Sequence, residues 1–171
     1  AVREQMNMRE LFKEAGLQDP EQAYYTLTKW LAEAQEDGEL PHHEQIFRAS
    51  KDGGTAEKFH EHCDNKGKTL TVILSSGFGT DEVSVFGGYA DASWNSSNRF
   101  IASPGNAFLF ALQCWADMPP TKMPLTGSKN GQAMSGRRDC GPSFGGGFEI
   151  HLGSQLGKTW HDGSYTDIGK K

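Results

Sequence analysis

Residues 140–152 read CGPSFGGGFEIHL, and the fold turns on how that stretch is read. Gly145, Gly146 and Gly147 run together between Phe144 and Phe148. Three consecutive glycines cost backbone entropy and pack no side chain. A chain keeps them for positive φ, for close backbone approach or for a bulge. Phe148, Ile150 and Leu152 then alternate with Glu149 and His151, the period of two of a half-buried strand. A phosphate-cradling loop would carry Lys-Ser or Lys-Thr after the glycines, with a helix behind them. Here a strand pattern follows, so the run is read as a bulge and strand entry.

Working outward, the 171 residues suit one domain with a small appendage. The 21 glycines and the 10 Phe, 4 Trp and 4 Tyr suggest glycine turns between aromatic strands. The net charge of −5 is unevenly placed. Residues 1–64 hold 14 acidic and 7 basic side chains, a surplus of acid that the rest of the chain lacks. No basic stripe marks a nucleic-acid binder. Arg137-Arg138 is read as a solvated loop pair. Three cysteines without a C-x-x-C favour a reducing, intracellular compartment, probable site the cytoplasm, over a disulfide framework. No apolar run approaches the roughly 18 residues of a membrane span, so membrane insertion is not expected. The chain opens on Ala1, which reads as a cut, and further modules are expected beyond either end.

Met8, Leu11, Phe12 and Ala15 fall on one helical face. Asp19-Pro20-Glu21-Gln22 then supplies an N-cap, a first-turn proline and a capping-box glutamine. Ala23, Leu27, Trp30, Leu31 and Ala34 line the second helix, so residues 1–40 form a helical hairpin with an acidic outer face. Beyond Pro41, Ile46 to Ala49 reads as a short strand, and Asp52-Gly53 as the centre of a turn. Thr55 caps a helix running to Cys63, with Phe59 and either His62 or Cys63 inward. Residues 69–74 (TLTVIL) read as a central strand. Val83 to Tyr89 reads as another, its Gly87-Gly88 pair marking a bulge or close approach. Residues 94–98 form a polar loop anchored by Trp94. Residues 107–113 (AFLFALQ) are a strand buried on both faces. Residues 118–131 read as a long connection, and 132–134 as a short strand. Loops are expected at 77–81 and 153–157, and Ser164-Tyr165-Thr166 closes the chain. Strands about 10–15 residues apart favour antiparallel pairing over a parallel α/β sheet.

Several of these pieces, in order, resemble the TLDc domain. They are Phe47-Arg48-Ala49-Ser50-Lys51-Asp52-Gly53, Phe59-His60, Cys63-Asp64-Asn65-Lys66-Gly67 and Thr69-Leu70-Thr71. Val85-Phe86-Gly87-Gly88-Tyr89, Ser93-Trp94 and Asn106-Ala107-Phe108-Leu109-Phe110 follow, then residues 141–147 and 164–166. The likeness covers about 45–169. It implies an α+β, mainly β fold: a two-layer antiparallel β-sandwich flanked by short helices, over 45–171, behind the hairpin of 1–40. It also implies a eukaryotic docking unit without an agreed catalytic mechanism, tied to oxidative-stress resistance. Several members bind the vacuolar proton-pumping ATPase. Thr55 and Asn106 stand where the oxidation-resistance branch has a serine and an acidic residue, which weakens transfer of that branch's function, and the glycine-rich, Ser-Tyr-Thr form resembles members in invertebrates and protists. The family ends in a further strand after its Ser-Tyr-Thr segment, so either that strand is expected beyond Lys171 or the sandwich has an exposed edge.

The residues themselves offer a few chemical alternatives. His60 and Cys63, spaced i, i+3, can share a metal with His151 or His161. Adjacent helix positions do not face each other, so one inward Cys with exposed histidines is preferred. Cys140, in a loop behind Arg137-Arg138, is the best placed of Cys63, Cys114 and Cys140 for a redox thiol. Glu149 with His151 is an acid/base candidate, weighed against two plain outward positions on a strand. No G-x-S-x-G supports a serine hydrolase. The chain is therefore read as a non-catalytic protein-interaction module, or a structural subunit, without cofactor. A thiol-dependent oxidative-stress enzyme using Cys140 is the competing reading. Asp52, Gly53, Gly87, Gly88, Gly145, Gly146 and Gly147 are its structural motif positions.

Overall fold

The computed structural model describes residues 7–76, 82–114 and 118–156. The loop expected at 77–81 and the Ser-Tyr-Thr segment lie outside them. Among the described residues, four helices and two antiparallel four-stranded sheets make an α+β fold, with helix and strand in about equal share. The chain divides into two compact units.

The first unit takes residues 1–45, 70–89 and 106–124. Helix α1 (Met8–Glu14) starts at Asn7, whose side chain accepts the Glu10 N–H. Helix α2 (Pro20–Glu33) starts at Asp19, whose carboxylate accepts the Gln22 N–H at 2.9 Å. That cap predicts that Asp19→Ala costs about 1 kcal/mol of stability, read by urea denaturation. An unchanged midpoint would show the helix start to be held by packing alone. The apolar faces of both helices enter one core with the sheet: Phe12, Leu27 and Leu31 pack with Val85, Phe108 and Phe110. The hairpin thus shares the core of the first sheet.

That sheet runs β1 (Thr69–Ser76), β2 (Val83–Ala90), β4 (Phe108–Gln113), β5 (Thr121–Pro124). Among the described residues β1 has β2 alone as its neighbour, whereas its β-branched run reads as central. Strand β4 is buried along most of its length, as its apolar run predicts. Part of the connection expected at 118–131 is strand: β5 pairs antiparallel with β4, placing Leu109 opposite Met123. Lys122 and neighbouring prolines disguise it, and both are devices that blunt a sheet edge. The Lys122 ammonium lies 4.8 Å from the Phe108 ring centroid.

Gly87 and Gly88 sit in β2 opposite Phe110 and Leu109. A register shift marks a bulge at Val85/Phe86. At Gly87 a Cβ would overlap the Thr71 carbonyl oxygen of β1, and would lie 2.9 Å from Phe110 Cζ. Close approach is the reason for glycine there.

The second unit takes residues 46–69, 90–105 and 125–171. The strand expected at 46–49 is not formed. Residues 46–48 are irregular, and Ala49 opens the single-turn helix α3 (Ala49–Asp52), whose Asp52 carboxylate accepts the Arg48 N–H at 2.7 Å. Gly53 follows at φ +106°. Helix α4 (Ala56–Cys63) is capped by Thr55, as the sequence predicts. The second sheet runs β3 (Phe100–Ile101), β6 (Met134–Ser135), β7 (Ser143–Phe144), β8 (Ile150–His151). The strand read over 148–152 shrinks to Ile150 and His151, because Phe148 belongs to the turn at φ +58°. A 3-10 turn, Gly127–Gln132, precedes β6.

Candidate functional site

Ala56, Phe59, His60 and Cys63 are the buried positions of α4, spaced i, i+3, i+4, i+7. His60 is only 8% exposed, which corrects the expectation that the histidines of this helix face solvent. Its Nε2–H donates to the carbonyls of Arg137 at 2.9 Å and Cys140 at 3.0 Å. Its Nδ1 lies 2.7 Å from Asp64 Oδ1. The other Asp64 oxygen accepts the Ser96 hydroxyl at 2.7 Å. Asn65 N–H donates to the Trp94 carbonyl, and the Trp94 indole N–H donates to Thr69 Oγ1 at 2.8 Å. The Trp94 ring meets Phe59 and Phe144 edge to face, with centroids 5.5 and 5.3 Å away. One helix end thereby holds two loops, 93–98 and 137–140.

Beside this clamp lies a thiol and an imidazole. Cys140 is buried, not open to solvent as its place behind two arginines suggests. Burial, with the Asp139 carboxylate next, pushes the Cys140 thiol up. Arg137 draws the thiol down by less than burial and Asp139 push it up, and it is itself spent on Asp139 in a two-point ion pair of 3.0 and 2.7 Å. Cys140 Sγ lies 3.7 Å from His151 Nε2, and His151 Nδ1 lies 2.9 Å from Ser143 Oγ. Burial, then Arg137, holds His151 below its ordinary value. Cys63 is more deeply inert, its thiol pushed up to about 12 by burial.

The Arg137 hydrogen bonds hold Asp139 down at about 2 from an ordinary 3.8. A lowered folded value contributes stability above the unfolded one and loses it as pH falls towards 2. We expect the Asp139 carboxyl carbon to titrate near 2 by NMR. A midpoint near 3.8 would mean that the pair is not held in solution.

The glycine run forms the turn between β7 and β8. Gly145 takes φ +83° and donates its N–H to the Ala133 carbonyl at 2.8 Å. A Cβ there would collide with the Glu149 carboxylate, which folds over the turn. Gly146 and Gly147 are exposed at its tip. Among the described residues no hydrogen bond joins Glu149 to His151, and no group of three or more His, Cys, Asp or Glu side chains can hold a metal ion. His60 and Cys63 are not assembled with His151 as ligands, and His161 lies outside the described residues.

The sequence profile of the TLDc domain matches residues 21–167, most of the chain. The chain belongs to the TLDc domain family. None of the curated proteins compared with it matches. The matched stretch of the TLDc domain begins inside α2, ahead of the 45–169 over which motifs are recognisable. Within the second unit of the TLDc domain, the Asp52-Gly53 turn leads to Gly54, whose carbonyl accepts the Leu156 N–H, while Ala56 N–H donates to the Ser154 carbonyl. The turn is thereby tied to the segment after β8. Ser96 is a site residue that motif reading missed, whereas His60, Asp64 and Ser143 lie in the quoted motifs without the roles they take here. The i, i+3, i+4, i+7 stripe of α4 did carry a signal for His60.

Proposed function

We propose that this TLDc domain is a non-catalytic docking module of the cytoplasm, with the N-terminal hairpin as a second contact surface. Its partner is a large assembly, the vacuolar proton-pumping ATPase first among candidates, and its cellular effect is resistance to oxidative stress. A structural-subunit role in another assembly is the same chemistry with a different partner. The observation that carries the reading is where the reactive side chains are spent. The imidazole of His60, the carboxylate of Asp64 and the indole of Trp94 bind loops of their own unit. Exposed turns on a rigid scaffold are what remains for recognition. No helix among the described residues is long and apolar enough to cross a membrane.

The test is direct binding. The full chain, titrated with the purified soluble sector of the vacuolar ATPase, should show saturable association at about 10 μM or tighter. Absence of association at several times that concentration removes this partner. The competing reading, a thiol enzyme turning over peroxide at Cys140, is served poorly by a buried thiol whose pKa is raised. Catalytic loss of peroxide in the presence of the purified chain, abolished by Cys140→Ser, would reinstate it.

A further inference from the structure

We propose that a cleft in the first unit, between the α1–α2 turn and the end of β4, is the docking point for an arginine side chain of a partner protein. The proposal rests on the docking reading above and names the chemistry of what docks. The cleft holds about 220 Å³. Pockets for drug-sized ligands run from roughly 300 to 1,000 Å³, so this one suits a single long side chain. Its walls are of two kinds. Leu17, Ala23 and Leu112 are buried core residues and make the apolar side. Asp19 and Glu82 are exposed and bring two carboxylates to it. The frame is fixed by one side chain. Gln113 Oε1 accepts the Gln18 N–H at 3.0 Å, and Gln113 Nε2 donates to the Val83 carbonyl at 2.7 Å. The turn, the end of β4 and the start of β2 are thereby tied together around the cleft.

The negative charge is not met from within. Arg9 and Lys13 both pair with Glu21, and Lys122 pairs with Glu33. Among the described residues neither Asp19 nor Glu82 takes an ion pair. One Asp19 oxygen is committed to the α2 cap, which leaves the other for a ligand. A cation is the complement of such a rim, and the apolar wall asks for a hydrocarbon stem behind the charge. Arginine supplies both, with five N–H donors to divide between two carboxylates. A lysine ammonium is a single and more strongly hydrated point charge.

Amide NMR of the full chain, titrated at about 0.1 M salt with the peptide acetyl-Leu-Arg-Leu-amide, tests this. We expect saturable shifts concentrated at residues 17–23 and 112–114, with a Kd of about 1 mM or tighter. The same peptide with glutamine for arginine should bind about tenfold more weakly or worse. Asp19→Asn keeps a good cap acceptor, so joined to Glu82→Gln it removes charge and spares the helix start. That double variant should bind the arginine peptide about tenfold more weakly. Glu36→Gln with Glu39→Gln removes the same charge beyond the far end of α2, about 20 Å away, and should change the Kd less than about twofold. The proposal is overturned if the glutamine peptide binds as tightly, or if the Glu36 and Glu39 changes weaken binding as much as those at Asp19 and Glu82. Shifts spread evenly along the acidic hairpin, or no shift at about 10 mM peptide, overturn it too. Should Asp19→Asn disturb α2, Glu82→Gln alone, expected to cost about threefold, and the two-peptide comparison decide. The readout is the cleft itself, so the outcome stands whether or not the ATPase sector binds.

Discussion

Replacing Gly87 by valine is expected to unfold the first unit or to leave it barely stable. The added Cβ would occupy the space of the Thr71 carbonyl oxygen, a backbone atom that cannot rotate away. Phe110 Cζ, at 2.9 Å, closes the other route of escape. Relief requires β1 to move off β2, which sacrifices ladder hydrogen bonds along an eight-residue edge strand. Even Gly87→Ala should cost at least about 3 kcal/mol, the upper part of the range for overpacking. The control is Gly153→Ala, where an added Cβ meets nothing within 4 Å. It should stay within about 0.5 kcal/mol of wild type. Urea denaturation of the three proteins decides. If Gly87→Ala matches Gly153→Ala, the close approach of β1 to β2 is not a feature of the folded protein.

Gly87 also shows what a sequence discloses. A glycine pair inside an apolar strand signals a tight approach, and that signal is local. The same holds for the α2 start, where Asp19, Pro20 and Gln22 lie within four positions, and for Thr55 ahead of α4. Pairing partners are not local. Residues 69–74 look like a central strand because they are apolar and β-branched, yet among the described residues β1 pairs with β2 alone. Strand β5 is hidden by the prolines and lysine that suit it to an edge. Cys140 looks exposed because two arginines precede it. Its burial comes from residues that arrive later, as when Gly141 N–H donates to the Leu152 carbonyl. The neutralising Arg137-x-Asp139 pair spans only two residues, yet reading Arg137-Arg138 as a solvated pair passes over it.

His60 is the hardest case, and its removal carries the second large effect. Two of its three partners lie 77 and 80 positions away, so no motif spacing announces them. All three are acceptors. His60→Ala strands the Cys140 carbonyl and one oxygen of Asp64 where the ring was 8% exposed, and leaves the Arg137 carbonyl with the Cys140 N–H at 3.3 Å. It also removes the ring that meets Phe59 at 5.1 Å. An unsatisfied buried acceptor costs about 1–3 kcal/mol. We expect His60→Ala to lose about 4 kcal/mol. His60→Gln, which keeps an N–H donor of similar reach, should lose less. The companion Asp64→Ala separates the contributions, since in a double-mutant cycle the two losses should fall short of additivity by more than about 1 kcal/mol. Additive losses would mean that His60 holds the 137–140 loop without help from Asp64. A loss below about 1 kcal/mol for His60→Ala would mean that water replaces the ring, and that α4 is anchored by Phe59 and Trp94 packing instead.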